Sequence, residues 1–384
     1  MSYMSDAQNF AASSTPDHPH SMGMIFQIAG SSSKVLIDAQ RLGILGQDAD
    51  PCVAMAGQVG SQVKMRVGGC WLIASVRTMA LDQATHSVIA DIDFLGEGDE
   101  ESATGRIHHF RRGVTRYPTP GTDIFPVSSA DMQQIYAADD RANVEIGTVY
   151  PTSETRAALY VDSMLGKHFA LLGSTGTGKS TSAALILHRI CDLSPQGHIV
   201  MIDPHGEYGA AFAQNGAVYD VSNLALPYWL MNFEEHCEVL LTSNGNERQV
   251  DADILARCLL KARQKSRLAE SMGKITVDSP IPYLLSDLSN EIQDGMGKLD
   301  KSTNSAPYMR IKNKLDEIKG DPRYQFMFSG MLVADTMADF IAKIFRMPSN
   351  GKPISIIDVS GVPSDITATV VAVLSRLVFD FALW

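Results

Sequence analysis

Gly173, Gly178, Lys179 and Ser180 stand in the order G-x-x-x-x-G-K-[ST] inside FALLGSTGTGKSTSAALIL, residues 169–187. Residues of these types at this spacing can hold the phosphates of a nucleoside triphosphate. Glycines at 173, 176 and 178 let the backbone turn tightly enough to aim several N–H groups at phosphate oxygens, and a helix starting there adds partial positive charge. Lys179 would reach the β- and γ-phosphates, the Ser180 hydroxyl would bind magnesium, and Thr181 could approach the α-phosphate. The candidate ATP or GTP loop is therefore Gly173, Ser174, Thr175, Gly176, Thr177, Gly178, Lys179, Ser180 and Thr181, with magnesium at Ser180.

Hydrolysis needs a carboxylate as well: an acid at a strand end to hold the magnesium shell, and a group that orients or deprotonates the attacking water. HIVMIDPHGEY (198–208) offers Asp203, followed by His205 and Glu207, and ISIIDVSG (354–361) offers Asp358. Both aspartates would lie at the carboxyl edge of a parallel sheet, where open α/β folds bind ligands. Pro204 and Val359 follow them, so neither begins the acidic pair usual in hydrolysing P-loop motors. Asp-Pro-His-Gly is also good turn chemistry, so Asp203 is open between metal shell and strand-end turn. Lys179, Asp203 and Glu207, the last as a water-orienting group, are the candidate catalytic residues.

These residues need a sheet and a helix to place them. HFALL (168–172), an apolar helix over about 179–193 and HIVMID (198–203) make a βαβ unit, which implies a parallel sheet covered by helices. A buried strand follows at 354–359. Between them, over about 232–350, the pattern is mostly helical with polar interruptions such as GMGKLDKSTNSAP (295–307). Pro363, Ser364 and Asp365 open a last helix with Ile366, Val370, Leu374, Leu377 and Phe381 at helical spacing.

Ahead of this unit the grammar differs. From residue 23 to about 150 come short extended runs punctuated by Gly, Asp and Pro: GMIFQIAG, SKVLID, QVKMRVGG, CWLIASVRTM, SVIADIDFLG, GRIHHFRRGV and VEIGTVY. Val63, Met65 and Val67 face away from Lys64 and Arg66, and Val88, Ala90, Ile92 and Phe94 face away from Asp91 and Asp93. That predicts a small all-β barrel or sandwich. YPTSETRA (150–157) reads as the connection to a second domain over 151–384, and the polar residues 1–22 as a disordered tail.

A net charge of −11 opposes a protein whose whole surface coats nucleic acid, though not one with a narrow basic channel. Five scattered cysteines form no CxxC or Cys/His cluster, which suggests neither disulfides nor a zinc site and fits a reducing cytoplasm. The N-terminus lacks an apolar signal core, and the most apolar run, 366–384, carries Arg376 and Asp380, so no membrane segment is expected. RCLLKARQKSR (257–267) is the densest basic cluster. Arg257, Lys261 and Lys265 share one helical face, either to meet phosphates in a pore or as a solvated surface offset by acids such as Asp251, Asp253 and Glu270.

The extended N-terminal runs, KHFALLGSTGTGKS (167–180), IDPHGEY (202–208), LPYWLMNFEE (226–235) and IIDVSG (356–361), in that order, resemble bacterial members of the HerA/FtsK superfamily of hexameric DNA-translocating ATPases, most of all the HerA branch. The resemblance covers about residue 23 to the C-terminus. It implies a RecA-like P-loop ATPase domain with a helical insertion, assembled as a homo-oligomeric ring, a hexamer, around double-stranded DNA, with ATP and magnesium between subunits. It also implies that the N-terminal barrel docks a nuclease or, in anti-phage systems, another effector. Two departures follow. Lys167 stands where the family often has Arg and cannot make the same planar bidentate contact. The family's acidic Walker B pair and arginine finger would follow the last helix, so the chain looks like the first two-thirds of a longer motor. The competing expectation is a nucleotide-binding ring scaffold that recruits an effector without efficient hydrolysis. A secretion or conjugation ATPase of the same superfamily would bring a membrane segment, which is not seen.

Overall fold

The computed structural model describes residues 21–30, 32–82, 87–101, 105–297, 305–333 and 336–383. It divides into two compact units that meet between Ala170 and Leu171 in the sequence.

In the first unit, β1 (Gly23–Ala29), β2 (Ser32–Asp38), β3 (Gln62–Val67), β4 (Cys70–Asp82), β5 (Ser87–Glu100) and β7 (Asp123–Pro126) join in the order β2-β1-β7-β3-β4-β5, and β5 pairs back with β2 to close a six-stranded antiparallel barrel. β6 (Ile107–Arg112) adds to β5 outside the ring. The alternation in the sequence explains the closure. Val63 and Met65 of β3 and Ala90 and Ile92 of β5 are buried in one core with Ile25, Val35, Ile37 and Ile124, and Val88 and Phe94 pack against it. Irregular pairing between Ile73 and Ala74, and between Val76 and Thr78, bends the long β4 around that core.

DIFP, too short to stand out in the sequence, is the strand that fills the ring. Tail residues 1–20 lie outside the described residues. Ser21 and Met22, read with that tail, are instead packed: the Met22 N–H donates to the Ile124 carbonyl at 2.9 Å and its side chain joins the barrel core. The connection read at 150–157 also carries structure, since β8 (Asn143–Thr148) and β9 (Arg156–Tyr160) form an antiparallel hairpin.

Glu97 is a polar clasp on β5. Its carboxylate accepts the Thr115 N–H (3.0 Å), the Thr115 hydroxyl (2.7 Å) and the Arg111 guanidinium (2.6 Å), tying the loop after β6 to the barrel. Those bonds hold its carboxyl at about 2, well below the usual carboxylate range.

The second unit is built on three parallel strands in the order β10 (Ile199–Asp203), β12 (Ile354–Asp358), β11 (Gly216–Tyr219). Central β12 is buried from Ile354 to Ile357, as a parallel strand covered on both faces requires, and the hydroxyl of its one polar member there, Ser355, donates to the Ile344 carbonyl. Helix α1 (Lys179–Leu193) buries Ile186, Ile190 and Cys191, the last in a small cluster with Phe212, Ile354 and Ile356. The strand expected over 168–172 is not formed. No described strand lies beside it to take its backbone hydrogen bonds, and Phe169 and Leu172 remain 52% and 90% exposed.

Between β11 and β12 the chain is helical: α2 (Phe233–Leu240), α3 (Gly245–Gln264), α4 (Leu285–Gly297), α5 (Ala306–Gly320) and α6 (Met337–Ile344) surround Tyr228, Trp229 and Met231. The last helix, α7 (Thr367–Leu383), buries Val370, Leu374 and Leu377 in the same core, while Phe381 stays exposed. Residues 298–304 of the polar run at 295–307 lie outside the described residues.

This core holds a buried polar chain. His236 Nδ1 faces the Asn232 carbonyl at 2.7 Å, so Nδ1 carries the proton, and Nε2 accepts the Tyr283 hydroxyl at 2.9 Å. The Tyr228 hydroxyl donates in turn to the Tyr283 carbonyl. Burial and the nearby Arg263 and Arg376 charges push His236 down to about 3. The unfolded chain protonates this imidazole near 6.5, whereas the folded chain waits until about 3. Its contribution is thus fully present above pH 6.5 and falls by about 1.4 kcal/mol per pH unit below that. Urea denaturation of the parent and His236→Gln between pH 7 and 4 should show a shallower pH slope in the variant; equal slopes would mean the histidine titrates alike folded and unfolded.

Candidate nucleotide site

The phosphate loop takes the conformation its glycines permit. Gly176 and Gly178 lie at φ +84° and +88°, in the left-handed region where a side chain is strained. A Cβ on Gly173 would sit 2.5 Å from the Thr177 hydroxyl oxygen, so any side chain there would displace the Thr177 hydroxyl. Helix α1 starts at Lys179 with no side-chain cap, leaving its first N–H groups without intrahelical partners. No atom lies within 4 Å of where a side chain on Gly176 or Gly178 would project. An open loop, uncapped amides, a lysine and a hydroxyl together fit a nucleotide phosphate with its magnesium.

These groups also have partners within the protein. The Ser174 carbonyl accepts the Lys179 ammonium at 2.8 Å and the Thr177 hydroxyl at 2.8 Å. The Ser180 hydroxyl donates to Glu207 Oε2 at 2.6 Å. Thr181 is exposed on the first turn of α1, and Ser174 and Thr175 are exposed in the loop.

Asp203 and Asp358 are register partners at the carboxyl ends of β10 and β12. Asp203 is 1% exposed, and its carboxylate accepts the N–H groups of His205 (3.2 Å), Gly206 (3.0 Å) and Tyr208 (2.9 Å). The half-buried Asp358 accepts the Ser360 N–H at 2.8 Å. Gly206, at φ +68°, lies so close to β12 that a Cβ would meet Asp358 Oδ2 at 3.1 Å and Ser360 Oγ at 3.2 Å. The structure therefore brings Ser180, Asp203, Glu207 and Asp358 to one end of the sheet, with Lys179 beside Ser180. Gly206, which the sequence reading passed over, is what lets the Asp203 turn approach Asp358; its place in Asp-Pro-His-Gly was the available signal.

Lys167 is exposed and belongs to the first unit. Much of the basic run is engaged within its own unit. Lys261 and Lys265 pair with Glu291 of α4 at 3.4 and 2.8 Å, and the Arg257 Nε–H donates to the Asp253 carbonyl. Arg263 faces inward, fully buried, donating to the Met231 and Ser279 carbonyls. Among the described residues no group of His, Cys, Asp and Glu has metal-site geometry, and no helix is long and apolar enough to cross a membrane.

Among curated proteins, the DNA double-strand break repair helicase HerA of Pyrococcus furiosus is 33% identical over 147 residues, covering 36% of this chain and 25% of that protein. The Saccharolobus solfataricus protein of the same name is 25% identical over 267 residues, covering 68% of this chain and 47% of that protein. A probable HerA of Methanocaldococcus jannaschii is 30% identical over 124 residues, 32% of this chain and 23% of its own. The matched stretch thus covers less than half the length of each of these relatives. Residues 144–378, more than half of the chain, match the profile of the family described as "Helicase HerA, central domain", and the chain belongs to this family of HerA-like P-loop ATPases.

Proposed function

We propose that the chain is the ATP-binding part of a HerA-type motor, a hexameric ring that couples ATP hydrolysis to movement of double-stranded DNA. The complete loop at Gly173–Thr181, with Ser180 bonded to Glu207, is the observation that carries this reading. Lys179 and the uncapped amides of α1 would bind the phosphates, and Ser180 would hold magnesium, which when bound neutralises charge on the phosphate oxygens. Glu207 would orient the attacking water. In this reading residues 151–384 form a RecA-like domain whose helical insertion spans about 232–350, and residues 23–150 form the barrel that docks a nuclease or other effector. Relatives named as double-strand break repair helicases favour a DNA-repair setting over anti-phage defence. The ring would work in the cytoplasm.

A second reading, a nucleotide-binding ring scaffold with little turnover, is favoured by one observation: the oxygens of Asp203 are spent on its own turn. ATP turnover by the purified chain, with and without double-stranded DNA, separates the two. DNA-stimulated turnover supports the motor. Nucleotide binding without turnover in either condition would replace it with the scaffold.

A further inference from the structure

The residue that sequence spacing offers first as the hydrolytic acid is already committed to its own turn. A carboxylate has about four lone-pair sites on two oxygens. Three of those on Asp203 are filled by the turn that follows it: Oδ1 by His205 and Gly206, Oδ2 by Tyr208. The side chain is sealed from solvent as well. Glu207 is the reverse case, exposed to water yet reaching back to the Ser180 hydroxyl at 2.6 Å, a short charge-assisted bond. The turn linking them passes close to β12: Gly206 is left-handed, and a Cβ there would meet Asp358 Oδ2 and Ser360 Oγ at 3.1 and 3.2 Å.

We propose that Asp203 is a positioning residue: it builds the 204–208 turn that presents Glu207 to Ser180, and Glu207 is the carboxylate that faces the magnesium position of the phosphate loop. The second half rests on reading Gly173–Thr181 as an ATP and magnesium site. The first half stands on the protein alone. Asp203 acts before any ligand arrives, by holding three backbone N–H groups in place. Glu207 acts where the ligand arrives, and its bond to Ser180 is the one magnesium would replace.

The test uses the full chain, with Asp203→Ala, Asp203→Asn and Glu207→Gln. Amide hydrogen exchange on the nucleotide-free protein reads the turn. In Asp203→Ala the Gly206 and Tyr208 amides should exchange at least about tenfold faster, from the loss of one charge-assisted bond each. In Asp203→Asn the amide oxygen can still accept His205 and Gly206, so Gly206 should stay protected while Tyr208 speeds up. Glu207→Gln should leave all three amides as in the parent.

ATP binding with and without magnesium reads the site through the ratio of the two affinities, which general damage to the fold would not change selectively. That ratio should fall towards one in Glu207→Gln and Asp203→Ala, and lie between these and the parent in Asp203→Asn. Two results would overturn the proposal: a full magnesium effect in Glu207→Gln, or Asp203→Asn losing that effect as completely as Asp203→Ala while Gly206 stays protected. A parent that binds no ATP would overturn the nucleotide reading and the role of Glu207 together, and the exchange pattern would still decide the role of Asp203.

Discussion

Lys179→Ala should weaken ATP binding by roughly 10- to 150-fold, the equivalent of one hydrogen bond to a charged group, about 1.5–3 kcal/mol. The lysine ammonium now rests on the neutral Ser174 carbonyl at 2.8 Å. A phosphate oxygen is the stronger acceptor because it carries charge, so the lysine gains by changing partners. Alanine removes that gain and leaves the left-handed glycines and the uncapped amides of α1 in place, which is why binding should fall rather than vanish. The side chain is only half-buried and makes no other described bond, so the melting temperature should barely move. Calorimetric titration with ATP decides the matter: unchanged affinity would mean the loop is not where the nucleotide sits.

Glu235→Ala should cost the second unit about 3 kcal/mol, a large stability loss for a single polar change. Glu235 has two tasks. One is the cap of α2, where Oε2 accepts the Asn232 N–H at 2.7 Å and the Asn232 side chain accepts the Glu235 N–H at 2.8 Å. The other is a two-pronged bond to Arg376 of α7 at 3.0 and 2.8 Å. Arg376 also donates to the Leu230 carbonyl at 2.7 Å, so losing Glu235 leaves a half-buried cation with that neutral acceptor and a longer, 3.7 Å contact to the exposed Asp380. Because Arg376 keeps some contact with water, the cost belongs at the low end for a broken buried pair. Replacing both residues, Glu235→Gln with Arg376→Leu, should recover part of it by removing the stranded charge. Urea denaturation measures both, and a loss below about 1 kcal/mol would place the pair among ordinary surface ion pairs.

That pair shows where sequence reading stops. LPYWLMNFEE helped to mark the family, yet its residues serve packing: Tyr228 and Trp229 are core, and Glu235 is a cap and a brace. The phosphate loop was legible because its chemistry lies in residue types at fixed spacing. The barrel was legible where alternation was clean, as in Val63 and Met65, and not in DIFP, which is too short to alternate. HFALL read as a strand because its residues suit one, but a strand also needs a neighbour. Helical spacing put Lys261 and Lys265 on one face and could not show Glu291 waiting opposite. The state of Asp203 was the least legible, because its partners are backbone N–H groups, which every residue but proline carries.

The sheet of the second unit has a consequence for synthesis. Among the described residues β10 and β11 do not pair with each other, and each has β12 as its sole strand neighbour. β10 ends at Asp203 and β12 begins at Ile354, so about 150 residues must be added before either early strand has a neighbour. At ribosomal rates of about 5–20 residues per second, that is a wait of roughly 8–30 s. Every strand of the barrel has been made by then, since its last member, β7, ends at Pro126. Throughout that wait the nascent polypeptide trails an apolar segment, Ile199–Ile202, with open backbone hydrogen-bonding groups, the kind of surface that chaperones shield and other chains capture. A ribosome that stalls within the helical segment would release the full set of barrel strands joined to two strands without a sheet.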